Sequence, residues 1–526
     1  MSDRITRRTF LELAGLGMAS VAASSLLTGC GHDMTPDAQP TQAPPVPPVP
    51  VDLHLRLRAV PGEVNILPGG ATRAWQYRGE VLSGEPAALQ SLPNSYLGPI
   101  LRVARGTRVR VDLHNDLSQE TIIHWHGLHV PEEADGHPRY AIGPGQAYTY
   151  YFTVRDRAGT YWFHPHPHGL TGPQVYYGLA GLFLVSDDEE EALNLPSGDY
   201  DVPLVLQDRL FDRSNQLRYV PNGMADRMLG MLGDRILVNG WPDYRLHVAR
   251  RSYRFRLLNG SNSRVYKLAW EDGAPLTVIG TDGGLLERPV SRPYVTLAPA
   301  ERAELWVDFH QWPLGTTQRL VSLPFAGATV GTMGLSSSSP LDQGDGFPVM
   351  AVDVVRDEPD PSALPARLST IPRLTETDSV NQNNPRRWAL SMRGMTWTIN
   401  GKTFVMDQAD RDEIVRLGTQ ETWVFDNTQS GAMGMMGGMR MIHPMHVHGL
   451  QFQIVERQVE RGFEAAWRTV SEGLVDEGWK DSFLLMPGER AKVLMRFEDY
   501  TGLYLVHCHN LEHEDLGMMR NYRVDH

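Results

Sequence analysis

Cysteine is almost absent from this chain: its 526 residues include two, Cys30 and Cys508. That excludes a disulfide-stapled scaffold, and a chain this long can bury a sufficient core without one. Dense basic runs are missing, and the formal net charge is −13. Nucleic acid is thereby excluded as a partner, because phosphate binding needs a dense cationic face. Long apolar runs are missing too. The one Ala/Leu/Gly/Ser-rich stretch, near the N-terminus, is too short and too rich in Gly and Ser for a membrane span. Long helical periodicity is scarce. The remainder has the composition of a globular protein, 41% hydrophobic and 21% charged, and its length suits about three domains of common size.

Residues 1–30 read as an export signal. Thr6-Arg7-Arg8-Thr9-Phe10-Leu11 resembles a twin-arginine signal, and Leu27-Thr28-Gly29-Cys30 resembles a bacterial lipobox with Cys30 as the lipidated residue. Cleavage without lipidation is the alternative. Residues 31–50 are Pro-rich, and an extended, semi-rigid tether is expected over Thr41 to Pro50. The expected location is outside the cytoplasm, periplasmic or in the cell envelope, with a lipid anchor through Cys30.

From residue 51 short alternating runs such as Leu53-His54-Leu55-Arg56-Leu57 recur between Gly, Pro and Asn, the pattern of β-sandwiches or barrels. An internal repeat runs through them. Pro299-Ala300-Glu301-Arg302-Ala303 matches Pro487-Gly488-Glu489-Arg490-Ala491, and Pro144-Gly145-Gln146-Ala147 is a shorter copy. A strand ending in Asn precedes each copy, at Asn115, Asn259 and Asn427. Three related β domains are expected over 51–195, 196–360 and 361–526, with a connector at 356–388. Paired histidines occur in the outer two only.

Those pairs carry the chemistry. His124/His126, His164/His166, His446/His448 and His507/His509 are each spaced His-X-His. On a strand, alternate residues share a face, so each pair aims both rings one way. One such pair is more often hydrogen-bonded than metal-bound; four pairs, two from each outer unit, point to a shared metal site. Nitrogen ligands favour copper, where Irving–Williams affinity peaks. Eight nitrogens exceed one ion and suit three, as 2 + 3 + 3. Cys508 points away from its flanking histidines, and His513 and Met518 follow after a bend. With His443 they form a blue-copper set of two imidazoles, a thiolate and a thioether.

His124-Trp125-His126-Gly127, His164-Pro165-His166, His443-Pro444-Met445-His446-Val447-His448-Gly449 and the segment His507–Met518 resemble the four copper signatures of the multicopper oxidase family. That family includes laccases, bilirubin oxidases and copper-efflux oxidases. The resemblance implies an all-β fold of three cupredoxin-like Greek-key sandwiches and four copper ions. It assigns His443, Cys508, His513 and Met518 to type 1 copper and His124 and His446 to type 2. His126, His164, His166, His448, His507 and His509 go to the type 3 pair. It implies one-electron oxidation of a substrate coupled to four-electron reduction of dioxygen to water.

Asp135 and Glu514 fit positions of carboxylates near this centre in similar enzymes. They are proton-donor candidates, with hydrogen bonding to ligating histidines as the competing role; Asp481 is a further hydrogen-bonding candidate. His129, His137 and His168 fall outside the ligand pattern, and His54, His114, His247 and His310 carry no signal. The Gly/Met-rich run before His443 offers thioethers, which select Cu(I). Met439 and Met441 resemble substrate-copper positions of the efflux oxidases, although those place Asp where Met439 stands. Flexible Met side chains lining an apolar pocket for phenols are the alternative. Two rival classes remain: a copper-sequestering protein, which has no use for an electron-entry site, and a copper nitrite reductase, which has no trinuclear cluster. A monomer is expected.

Overall fold

Strands dominate the computed structural model, which describes residues 50–92, 95–331, 334–428 and 440–526. The twin-arginine and lipobox motifs, Cys30, the tether before Pro50 and Met439 lie outside the described residues. No helix among the described residues is long and apolar enough to cross a membrane.

The fold is all-β and has three cupredoxin-like sandwiches. The first pairs a four-stranded sheet, built around Leu53–Val64 and Arg108–Asn115, with a five-stranded sheet that carries Ile123–His126 and Gly159–Pro165. The middle sandwich has seven- and five-stranded sheets, with Ser252–Asn259 and Arg302–Asp308 adjacent in the larger. The last has two five-stranded sheets, one of which carries His443–Val447, Ser482–Leu485 and Gly502–Cys508. Alternation along Arg108–Asn115 puts Val109, Val111 and Leu113 in the first core, as period two demands.

The sequence repeat is a repeat of hydrogen bonds. In each sandwich the Asn main chain exchanges two bonds with the following turn. Asn115 pairs with Gly145 and Gln146, Asn259 with Ala300 and Glu301, and Asn427 with Gly488 and Glu489. The Asn amide also donates to a neighbouring strand end, at Ile142, Leu297 and Met441 respectively. The central turn residue is left-handed in all three, with φ of 75° at Gly145, 72° at Ala300 and 74° at Gly488. Two copies use Gly there; Ala300 takes the same conformation at a steric cost.

The sandwiches are tied by buried ions. Arg254 and Arg256 of the middle one reach Glu304 and Glu190, and Arg256 also holds Asp201 at 2.6 Å. Thr160 of the first hydroxyl-bonds the same Glu304 at 2.7 Å.

Candidate metal centre

Two pairs of antiparallel strands bring the histidines together. His124 lies opposite His164 in the first sandwich, and His446 lies opposite His507 in the last. Facing residues in a ladder are close neighbours, so each sandwich presents a patch of four rings. The two patches meet. All eight rings are fully buried.

The nearest nitrogens sort them into one pair and two triplets. Nε2 of His124 faces Nε2 of His446 at 3.3 Å. Nε2 of His507 faces His448 Nε2 at 3.1 Å and His166 Nε2 at 3.4 Å. Nε2 of His164 faces His126 Nδ1 at 3.3 Å and His509 Nε2 at 3.4 Å. Nitrogens of adjoining sets also lie within 4.8 Å, as in His124, His446 and His448, so the three sets share one cavity. Two nitrogens each about 2.0–2.1 Å from one tetrahedral metal ion stand about 3.3 Å apart. The donor sets therefore fit metal ions.

Six of the eight outward nitrogens face an acceptor; Nδ1 of His166 and of His509 has none among the described residues. A ring nitrogen facing a carbonyl must carry the proton, which leaves the other nitrogen bare for a metal. His124 Nδ1 donates to the Asp135 carbonyl at 2.7 Å, His446 Nδ1 to the Asp481 carbonyl at 2.8 Å and His164 Nδ1 to the Pro165 carbonyl at 2.9 Å. His448 Nδ1 donates to Asp135 Oδ2 at 2.8 Å, and His126 Nε2 to Asp481 Oδ1 at 3.1 Å. His507 Nδ1 donates to the Cys508 carbonyl at 3.1 Å, with Glu514 Oε2 3.2 Å away. Burial holds His124, His126, His166, His446, His448 and His509 well below the usual histidine range, and His164 at about 4. Those imidazoles are neutral, as ligation requires.

The two carboxyls differ. Burial pushes Asp135 well above the usual carboxylate range, and its Oδ1 has no hydrogen-bond partner among the described residues. Burial also raises Glu514, but its polar contacts with the neighbouring His166 and His507 rings and with Thr171 outweigh it and leave the group at about 2.

The second set lies across the strand. Cys508 Sγ is 3.4 Å from His443 Nδ1 and 3.7 Å from His513 Nδ1, and those two nitrogens are 3.3 Å apart. Metal bonds of about 2.3 Å to sulfur and 2.0–2.1 Å to nitrogen at a tetrahedral angle give about 3.5 Å between the donors. Burial pushes the Cys508 thiol up, so a thiolate here needs a cation beside it. Met518 is fully buried, with its main chain clipped to Cys508 at 3.0 Å and His513 at 2.9 Å. Met441, also buried, packs in the same core.

Several contributors carry no sequence signal of their own. The Met228 carbonyl, from the middle third of the chain, accepts His513 Nε2–H at 3.0 Å and Trp397 Nε1–H at 3.2 Å. The Trp397 ring lies against both His443 and His513. Ser482 Oγ sits 3.0 Å from His126 Nε2, and Arg302 grips Asp481. Arg302 is visible in the sequence only as part of the turn repeat. His129, His137 and His168 stay outside both sets, with His129 at Asp499 and His137 at Asn521.

Three cupredoxin sandwiches enclosing ten buried imidazoles and a thiol define a copper-dependent oxidoreductase. Family models described as multicopper oxidase match residues 76–190 and 369–526. Multicopper oxidase mco of Staphylococcus aureus is 32% identical over 432 residues, covering 81% of this chain and 82% of that protein. A laccase of Bacillus subtilis is 30% identical, covering 85% of this chain and 90% of its own. The crystal structure of the McoA multicopper oxidase of Aquifex aeolicus superposes with a TM-score of 0.75 at 34% identity, covering 91% of this chain and 97% of its own. The chain belongs to the multicopper oxidase family.

Proposed function

We propose that this enzyme oxidises Cu(I) or phenolic compounds one electron at a time and reduces dioxygen to water, in copper tolerance or aromatic oxidation. Four copper ions fit the donors. The type 1 ligands are His443, Cys508, His513 and Met518; type 2 takes His124 and His446. The type 3 pair takes His126, His164 and His509 on one ion and His166, His448 and His507 on the other. Bound copper supplies the one-electron redox steps and the activation of dioxygen.

The observation that carries this reading is the placement of Cys508 between His507 and His509. Its sulfur faces one donor set while its neighbours' rings enter the two triplets of the other. The peptide links on either side are thus the shortest covalent path between the sets, and electrons follow them. A protein built only to sequester copper has no use for that link.

The chain also handles protons. Asp135 holds one beside His448 and His124 and releases it toward the cavity. Glu514 is ionised at rest; it orients His507 and passes a proton on only after taking one up. Domain limits of 51–195, 196–360 and 361–526 fit this reading. So does an exported monomer, periplasmic or held to the cell envelope through a lipid on Cys30.

For the donor, the softness of the thioethers before His443 favours Cu(I). Oxygen uptake with Cu(I) and with catechol, each with and without added copper, tests the reading. Turnover is expected with both, and Met441→Ala should raise KM for Cu(I) more than for catechol. Equal effects refute the cuprous preference; absence of uptake with either donor refutes the oxidase.

A further inference from the structure

The middle domain supplies no paired histidines, yet its side chains reach the ligand cage. Arg302 opens the strand Arg302–Asp308 and is fully buried. Its guanidinium touches both other domains. Nε donates to the Thr160 carbonyl at 2.9 Å, Nη1 donates to Asp481 Oδ1 at 2.7 Å, and Nη2 donates to Asp481 Oδ2. The Arg302 main chain donates to Asp282 Oδ1 at 2.7 Å. Asp282 Oδ2 in turn receives the main-chain N–H groups of Asp481 and Ser482 at 3.3 and 3.2 Å. Lys480 completes the cluster, 3.1 Å from Asp282 and 2.7 Å from Glu301. Asp481 is thus gripped at its carboxylate and at its backbone from one neighbouring domain.

Asp481 then sets two ligands. Its carboxylate takes the Nε2–H of His126, so that Nδ1 turns to His164, and its carbonyl takes the Nδ1–H of His446. Gly127, with φ of 87°, makes room for this contact. A Cβ there would stand 2.5 Å from Asp481 Oδ2 and 2.6 Å from Arg302 Nη2. The residue after His126 must therefore lack a side chain for the clamp to close.

We propose that Arg302 is a positioning residue for dioxygen reduction: it clamps Asp481 so that His126 and His446 present the correct nitrogens to the cage. The proposal rests on reading that cage as the dioxygen site. A guanidinium bonds both carboxylate oxygens and a carbonyl in one plane, whereas an ammonium is a point charge that fixes no direction. Lysine at 302 would keep the charge and lose the alignment.

The test uses the full chain with Arg302→Lys, Arg302→Met and Asp481→Asn. Blue absorbance and its anaerobic bleaching by catechol should match wild type in Arg302→Lys and Asp481→Asn. Recovery of the blue colour in dioxygen should be about 10–100-fold slower. kcat should fall with kcat/KM for catechol unchanged. Copper-stripped variants, reloaded and dialysed against a chelator, should retain fewer ions per chain. Should Arg302→Met fail to fold, the other two variants decide. Wild-type recovery rate and copper content in Arg302→Lys would overturn the proposal, because charge alone would then suffice. Equal slowing of bleaching and recovery would overturn it too, because the effect would not be local to the cage. Failure of the copper-loaded wild type itself to bleach and recover would instead refute the oxidase reading.

Discussion

Asp156 offers a quantitative test of how burial acts in the first domain. It is 8% exposed, and its carboxylate oxygens accept the His129 main-chain N–H at 3.1 and 3.2 Å. Those bonds lower its affinity for a proton, but loss of hydration outweighs them and raises the group from 3.8 to about 7. The folded chain therefore holds a proton that the unfolded chain releases. Stability from this site is fully present below pH 3.8, declines as pH rises and is gone above about 7. Three pKa units at about 1.4 kcal/mol each make the loss roughly 4 kcal/mol. Asp156→Asn replaces the neutral acid with a neutral amide that still accepts from His129. The variant should match wild type at pH 4 and exceed it by up to about 4 kcal/mol at pH 8. Guanidinium unfolding of the copper-free chain across that range measures the difference. Parallel pH curves for the two proteins, or a less stable variant at pH 8, would refute the reasoning.

Two further outcomes follow from the site. Cys508→Ser should abolish blue absorbance and oxygen uptake, with far-ultraviolet circular dichroism unchanged and stability within about 2 kcal/mol of wild type; retained uptake rules out the route through the sulfur. Gly136→Ala should destabilise by at least about 2 kcal/mol and lower copper per chain. Gly136 has φ of 85°, and a Cβ would sit 2.1 Å from the Ile123 carbonyl beside His124. An unchanged thermal midpoint and copper content would show that the turn yields freely.

The clustering of the paired histidines was legible because period two on a strand needs only local spacing. His443 and His513 were legible through their distance from Cys508 and from the pairs. How the rings are shared out was not: His124 meets His446, 322 residues away, and no spacing rule spans two domains. Arg302 shows the same limit. Its repeat partner Arg490 occupies the matching turn and binds Asp426 within its own domain. Arg302 reaches Asp481, 179 residues on, in the next domain. Near-identical local sequence thus serves two ends, and only the packing of neighbours tells them apart. Trp397 was silent for a similar reason, since a buried tryptophan reads as ordinary core.

Each nitrogen set draws rings from both the first and the last domain, so metal occupancy doubles as a clasp between the two termini of the fold. Loading is linked to closure by mass action: a molecule whose ends have parted forfeits every ion in the cage together, and one that has lost its ions relies on salt links and van der Waals contact to stay shut. Copper scarcity should therefore show itself first as loosened seams between domains, detectable by proteolysis, well before any strand unravels.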